Sequence, residues 1–280
     1  MTDSPYSTLI LESRDGVATL TLDRPEVLNA MSSKMMKELD DALATVAQDT
    51  SVRVLVLTGS GKGFCSGADL SAVAETDSGK GAEKGRVEAA TTSDPDEGVA
   101  KRIREVFNPA ILRLNQMPIP TVARLNGVAA GGGLGLALGC DVAIAARSAS
   151  LVSTFVPRMG IVPDLASSWH LPRRLGRARA LGMALLGDWI TAEQAVDWGL
   201  IWAAVPDDEL DGAVADLVAR LKRLSGDTVA RTRAIMDGAT DRSIAEQLEV
   251  ETEQQRFLVP RNMVPAAAAF LAKREPEFER

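Results

Sequence analysis

Two glycine-marked segments of this chain are suited to holding an oxygen that gains negative charge. The first, Gly63-Phe64-Cys65-Ser66-Gly67-Ala68-Asp69-Leu70, follows an apolar run at 52–58. The second, Leu125-Asn126-Gly127-Val128-Ala129-Ala130-Gly131-Gly132-Gly133-Leu134-Gly135, follows a strand-like run at 120–125. It enters a small-residue helix that ends near Cys140 and Asp141. Glycine clears side chains from the helix start, so a ligand can approach the backbone N–H groups there. A helix start also carries unpaired donors and partial positive charge. Two strand ends, each giving a glycine-lined amide, make an oxyanion hole. Any one of these glycines is explained by tight helix packing alone; two such segments in this order favour a site.

A proton carrier beside such a hole has to be a carboxyl or an imidazole. Asp164 is the carboxyl of the block Gly160-Ile161-Val162-Pro163-Asp164, at the expected start of a helix through Trp169 and Leu171. Two roles compete there. A helix N-cap lowers the pKa of Asp164, whereas apolar surroundings raise it. His170, the sole histidine, reads as structural, and a Ser66–His170 pair lacks an evident third group. Cys65 and Cys140 read as small buried hydrophobes without metal-ligand spacing, so no metal is expected. The stretch at 59–63 lacks the Walker spacing, and 131–135 lacks the Rossmann spacing.

Alternating strand and helix patterns must position these residues. Asp15-Gly16 joins two alternating runs as a hairpin, and Ser32 or Ser33 caps a helix through Val46. A buried strand is expected at 52–58, a helix at 101–116, strands at 119–125 and 141–145, and a helix at 131–138. Short helices follow at 164–174, 177–186 and 192–198, then a strand at 201–205 and helices from 207 onward. The order favours an α/β core with parallel strands. Residues 74–98 are rich in Gly, Ser, Thr and charge, and read as a loop that is either a lid or a surface insertion.

Composition excludes several classes. The 280 residues are 46% hydrophobic, enough for one large core with an appendage. A net charge of −7 argues against nucleic acid as the partner. Arg173, Arg174, Arg177 and Arg179 read as a solvated or subunit-facing helix surface. No run is long and apolar enough for a membrane span, no signal segment is evident, and the two cysteines fit a reducing cytoplasm.

Several blocks, in order, resemble the crotonase or enoyl-CoA hydratase/isomerase superfamily. They are the stretch from Gly16 to Asn29, the two glycine segments, 160–164, 187–205, and Ala269-Phe270-Leu271-Ala272-Lys273-Arg274. The blocks at 176–187 and 192–202 resemble its ring-modifying isomerases. The resemblance covers nearly the whole chain. It implies a crotonase-like α/β spiral of β-β-α units over 1–205 and a helical C-terminal region over 206–280 that serves trimerisation or lids the CoA site. It further implies an acyl-CoA substrate, no cofactor beyond the coenzyme A that the substrate carries, and a homotrimer or dimer of trimers. The family's donors fall at the N–H groups of Ala68 and Gly132, with Asp69 bracing the first loop. Substrate contacts fall at Arg24, Val27, Ala68, Asp69, Leu70 and Gly132, and at Phe270 and Lys273, the last two from a neighbouring subunit or their own.

One departure from the family stands out. Its two hydratase glutamates fall at Gly135 and Val156, and neither residue can move a proton. Related isomerases and an aryl-CoA dehalogenase carry an acid at the position of Asp164. The expectation is therefore isomerisation through a thioester enolate, with Asp164 as acid/base. A hydratase with atypical residues and a non-catalytic acyl-CoA binder are the alternatives.

Overall fold

The computed structural model describes residues 5–70 and 95–278. Strands β1 (Leu9–Arg14) and β2 (Val17–Leu22) form the expected hairpin, with Leu9 opposite Leu22. Asp15 and Gly16 both take positive φ (51° and 76°), as a two-residue turn matching strand twist requires. Ser32 caps α1 (Ser33–Gln48) by accepting from Met35 N–H. Met35, Met36, Leu39, Leu43 and Val46 form the buried face of α1.

Six strands make the main sheet. In spatial order they are β1, β2, β3 (Val54–Gly59), β5 (Thr121–Leu125), β7 (Val142–Ala146) and β10 (Ala203–Val205). All neighbours from β2 onward run parallel. A second sheet holds β4 (Gly63–Cys65), β6 (Val128–Ala130), β8 (Ser150–Val152) and β9 (Ile190–Thr191). Each turn of the chain thus adds one strand to the main sheet and a short one to the second sheet. Helices α2 (Pro95–Arg102), α3 (Asn108–Asn115) and α4 (Gly132–Leu138) lie within this spiral. One π-helical turn, Ile103–Phe107, joins α2 to α3.

Two expectations need correction. The loop expected at 74–98 is helical from Pro95, where α2 begins; the rest of it, and the lid role with it, lies outside the described residues. The helices expected at 164–174 and 177–186 are present as the two arms of α5 (Ser167–Leu186), which break at Gly176 (φ 69°), but the first arm begins at Ser167. Asp164 therefore precedes the helix and does not begin it.

Helices α6 (Ala192–Asp197), α7 (Leu210–Leu221), α8 (Gly226–Asp237), α9 (Ile244–Leu258) and α10 (Val264–Leu271) complete the chain. The last of them are tied to one end of the sheet. Arg233 pairs with Asp141 at 2.6 Å and donates to the carbonyls of Asn115, Met117 and Ile119. Arg53 donates to the carbonyls of Lys222, Leu224 and Phe278. These anchors immediately precede β3, β5 and β7, so the C-terminal helices cover the N-terminal ends of the parallel strands. The carboxyl ends, where open α/β sheets place ligands, carry both glycine segments.

Candidate active site

The first expected donor, the Ala68 N–H, is placed by Met31. The Met31 N–H donates to Gly67 O at 2.7 Å, and its carbonyl accepts from Asp69 N–H at 3.0 Å. These bonds bracket Ala68, which pairs with Met31 as an isolated parallel bridge. In that geometry the Ala68 N–H is left over, and it has no partner among the described residues. Ala68 is exposed as a residue, whereas Gly132 is buried.

The second donor opens α4. Gly131, at φ 52°, precedes the helix, and Gly132 is its first residue. Leu134 N–H and Gly135 N–H both donate to Gly131 O, at 3.0 and 3.3 Å, while the Gly132 N–H has no partner among the described residues. The two segments lie close together at Gly67, Gly131 and Gly132. A β-carbon added to Gly67 would lie 3.6 Å from the Gly132 nitrogen, and one added to Gly131 would lie 4.0 Å from Gly67 Cα. A side chain at Gly67 would crowd Ala130 O and the Gly132 nitrogen, and one at Gly131 would crowd Thr154 Oγ1.

Two asparagines hold the turn before β4. Asn29, fully buried at φ 58°, accepts from Arg24 N–H and donates to the carbonyls of Ser60 and Gly63, each at 2.9 Å. Asn126 donates to the carbonyls of Gly61 and Gly63. Beside them Arg24 pairs with Asp69 at 2.8 Å and donates to Ala30 O at 2.7 Å, which ties Asp69 to the start of the first block. Arg24, Val27, Ala68, Asp69 and Leu70 thus gather on one rim, with Val27 and Leu70 partly exposed. Phe270 and Lys273 sit on the C-terminal tail, with Phe270 81% exposed, and no hydrogen bond or ion pair joins them to that rim among the described residues.

The opposite wall runs from the π-helical turn Phe155–Met159 to Asp164. Single π turns gather at functional sites, and this one carries Val156. Leu165 (φ 46°) and Ala166 (φ 61°) follow Asp164 in left-handed backbone, a strained state for residues with a β-carbon. Leu165 then reaches the donors: a β-carbon on Gly132 would lie 2.6 Å from Leu165 Cδ1 and would overlap Met31 Cε. One on Gly135 would overlap Leu165 O and lie 2.7 Å from Ser167 Oγ. A glutamate at 135 has no room here.

Asp164 is half-buried, and loss of hydration raises its carboxyl pKa above the usual value, partly offset by its own backbone N–H. It does not cap α5. Ala166 holds the cap position, without a side-chain bond. The expected side-chain cap at Asp164 is therefore absent.

The remaining candidates are structural. Ser66 Oγ donates to Val27 O at 3.1 Å, and His170 packs edge-on against Trp169, 4.8 Å between centroids, so no Ser–His pair forms. Burial lowers the His170 pKa to about 4 and pushes both cysteine thiols up to about 12. Arg174, expected on a solvated face, instead donates to the carbonyls of Leu138, Cys140 and Leu200, tying the end of α4 to α5. A cavity of about 1770 Å³ lies between core and C-terminal helices, bordered by Leu138, Trp169, His170 and Arg233. It contains none of Ala68, Gly132 or Asp164, so its size does not mark the chemistry. Among the described residues no three His, Cys, Asp or Glu are placed to hold a metal, and no helix is long and apolar enough to cross a membrane.

Sequence reasoning missed Met31, Leu165 and the asparagine pair. The asparagines carried a signal, since a polar residue inside an apolar block must find partners when buried. Met31 and Leu165 carried none.

A spiral of this topology with two free amides at strand carboxyl ends defines a crotonase-type α/β fold. A family model described as enoyl-CoA hydratase/isomerase matches residues 12–280, and the chain belongs to that family. It is 40% identical to 1,2-epoxyphenylacetyl-CoA isomerase of Escherichia coli K12 over 264 residues, 94% of this chain and 95% of that one. It is 38% identical to a protein of Rhodobacter capsulatus named a probable enoyl-CoA hydratase, over 98% of both chains. The crystal structure of an enoyl-CoA hydratase from Polaromonas sp. JS666 superposes with a TM-score of 0.85 at 27% identity, covering 97% of this chain and all of that one.

Proposed function

We propose that the protein is an acyl-CoA isomerase that shifts a double bond, or rearranges a ring, through a thioester enolate. The amides of Ala68 and Gly132 receive the thioester oxygen and stabilise it most when it becomes an enolate; one such donor is worth about 3 kcal/mol. Asp164 removes a proton from one carbon of the acyl group and returns it to another. The carrying observation is the half-buried carboxyl of Asp164, raised by desolvation, on a turn whose next residue packs on Gly132. A raised pKa suits a group that must both take and release a proton near neutral pH. The name of the Escherichia coli relative supports isomerisation, and that of the Rhodobacter relative keeps hydration as the second reading.

The same reading assigns the acyl-CoA rim to Arg24, Val27, Asp69 and Leu70, with coenzyme A as part of the substrate and no separate cofactor. The C-terminal tail is anchored at the far end of the sheet, so we assign Phe270 and Lys273 to the CoA site of a neighbouring copy in a trimer or dimer of trimers. A cytoplasmic setting fits the two buried free cysteines.

Asp164→Asn tests the mechanism. Turnover on a panel of enoyl- and aryl-CoA esters, and α-deuterium incorporation in heavy water, should fall about 100-fold or more, with acyl-CoA affinity nearly unchanged. Because the folded pKa is raised, ionised Asp164 costs stability as pH rises through that pKa, so the variant should melt higher than wild type at neutral pH. The gap should close below the ordinary aspartate range. Retained turnover with an unaltered melting profile refutes the assignment.

A further inference from the structure

We infer that Met31 is a positioning residue that sets the spacing between the two oxyanion amides. The inference rests on Ala68 and Gly132 being those amides. Met31 is the residue that meets both. Its backbone bonds flank Ala68, at 2.7 and 3.0 Å, and aim that N–H away from the bridge. Its side chain crosses to the second segment, where the terminal methyl lies over Gly132 Cα closely enough that a β-carbon would overlap it.

The backbone of Met31 is firmly placed. The residue is 2% exposed, and Ser32 directly after it caps the 16-residue helix α1, whose buried face enters the core. The thioether is therefore a spacer of fixed origin, packed between the two segments. Leu165 presses on Gly132 beside it, so the start of α4 is held between Met31 and the turn that carries Asp164. An oxygen shared by two donors tolerates little change in their separation.

The backbone bonds of Met31 do not depend on its side chain, so truncation isolates the spacer. Acetoacetyl-CoA provides a readout without turnover. Loss of its acidic α-proton to a base or to water leaves an enolate whose charge rests on oxygen and which absorbs in the near ultraviolet. Wild type should enolise the bound ligand. Met31→Ala should lower the bound enolate fraction about tenfold or more while the Kd changes less than threefold. Met31→Leu, similar in volume but shorter in reach, should lose about threefold and serves if the alanine variant does not fold. Met36→Ala, a fully buried methionine on α1, should melt lower yet enolise like wild type. Ala68→Pro removes the first donor and should abolish enolisation.

If Met31→Ala and Met36→Ala enolise alike while Ala68→Pro does not enolise, Met31 is only core packing and the inference fails alone. If wild type does not enolise the ligand, or Ala68→Pro enolises as wild type does, the oxyanion assignment fails and the inference with it.

Discussion

The two walls of the site are built by different means. The donor wall is set by regular elements: a parallel bridge brackets Ala68, a helix begins at Gly132, and Asn29 and Asn126 hold the turn before β4, with non-glycine left-handed backbone only in the supporting loop, at Leu28 and Asn29. The acid wall is irregular. It combines a π turn at Phe155–Met159 with two consecutive non-glycine residues in left-handed backbone after Asp164. Donors that are backbone atoms need only the right path of the chain, which regular elements supply cheaply. A side-chain acid needs a shaped, partly dry environment, and here that environment stores backbone strain of order 1–3 kcal/mol per residue.

The same contrast bears on Gly135, one of the two positions where the resemblance expects a hydratase glutamate. In this chain Leu165 O and Ser167 Oγ occupy the space into which a residue at 135 would project. The acid wall packs against α4, so glycine at 135 is a packing requirement and not merely an absent base. Gly135→Glu is the largest break of the comparison. Its β-carbon overlaps a backbone carbonyl, which cannot swing aside, and overpacking of that kind costs about 3 kcal/mol or more. Helix propensity returns less than about 1 kcal/mol, so the loss wins. The variant should melt well below wild type and gain no hydration of crotonyl-CoA. Normal stability together with new hydratase activity would show that the wall is not packed as described.

Gly132→Ala probes the seam between the walls more gently. The added methyl meets Met31 Cε and Leu165 Cδ1, both ends of flexible side chains, which can shift. Stability should fall by about 1 kcal/mol. Turnover should fall about tenfold, because the yielding groups are the one that spaces the donors and the one that follows Asp164. Unchanged kcat with a raised KM would mean that the methyl obstructs binding and leaves the alignment of donors and acid intact.

Legibility followed the same division. Glycines, a hairpin turn, a serine cap and apolar periodicity announced the donor wall and most of the main sheet, because each reflects a local backbone demand that only certain residues meet. The acid wall was legible in one residue, Asp164, and misread in its setting. Leu165 and Ala166 give no sign of left-handed backbone, since tertiary packing imposes it against their preference. Arg174 was misplaced for a related reason: its charge suggested a surface, but the unpaired carbonyls at the end of α4 draw it inward.

The smallest effect on turnover separates the two titratable groups near the start of α5. Asp164 and His170 are six residues apart, yet burial moves them differently: the Asp164 pKa is raised, and that of His170 is lowered to about 4, by desolvation first and then by Arg174 and Arg173. His170 is 6% exposed and borders the large cavity away from the donors. It stays neutral through the working range and should carry no proton in the reaction. His170→Gln should therefore leave turnover within about twofold at neutral pH. Its effect belongs to acid stability. A histidine whose folded pKa is depressed contributes stability above its unfolded pKa of about 6.5, and that contribution is lost as pH falls towards 4; the full span corresponds to about 3 kcal/mol. Wild type should thus lose melting temperature steeply between those values, and the glutamine variant should lose much less. Equal acid slopes would mean that His170 is hydrated in solution. A large drop in turnover at neutral pH would move the proton-carrying role from Asp164 towards the imidazole.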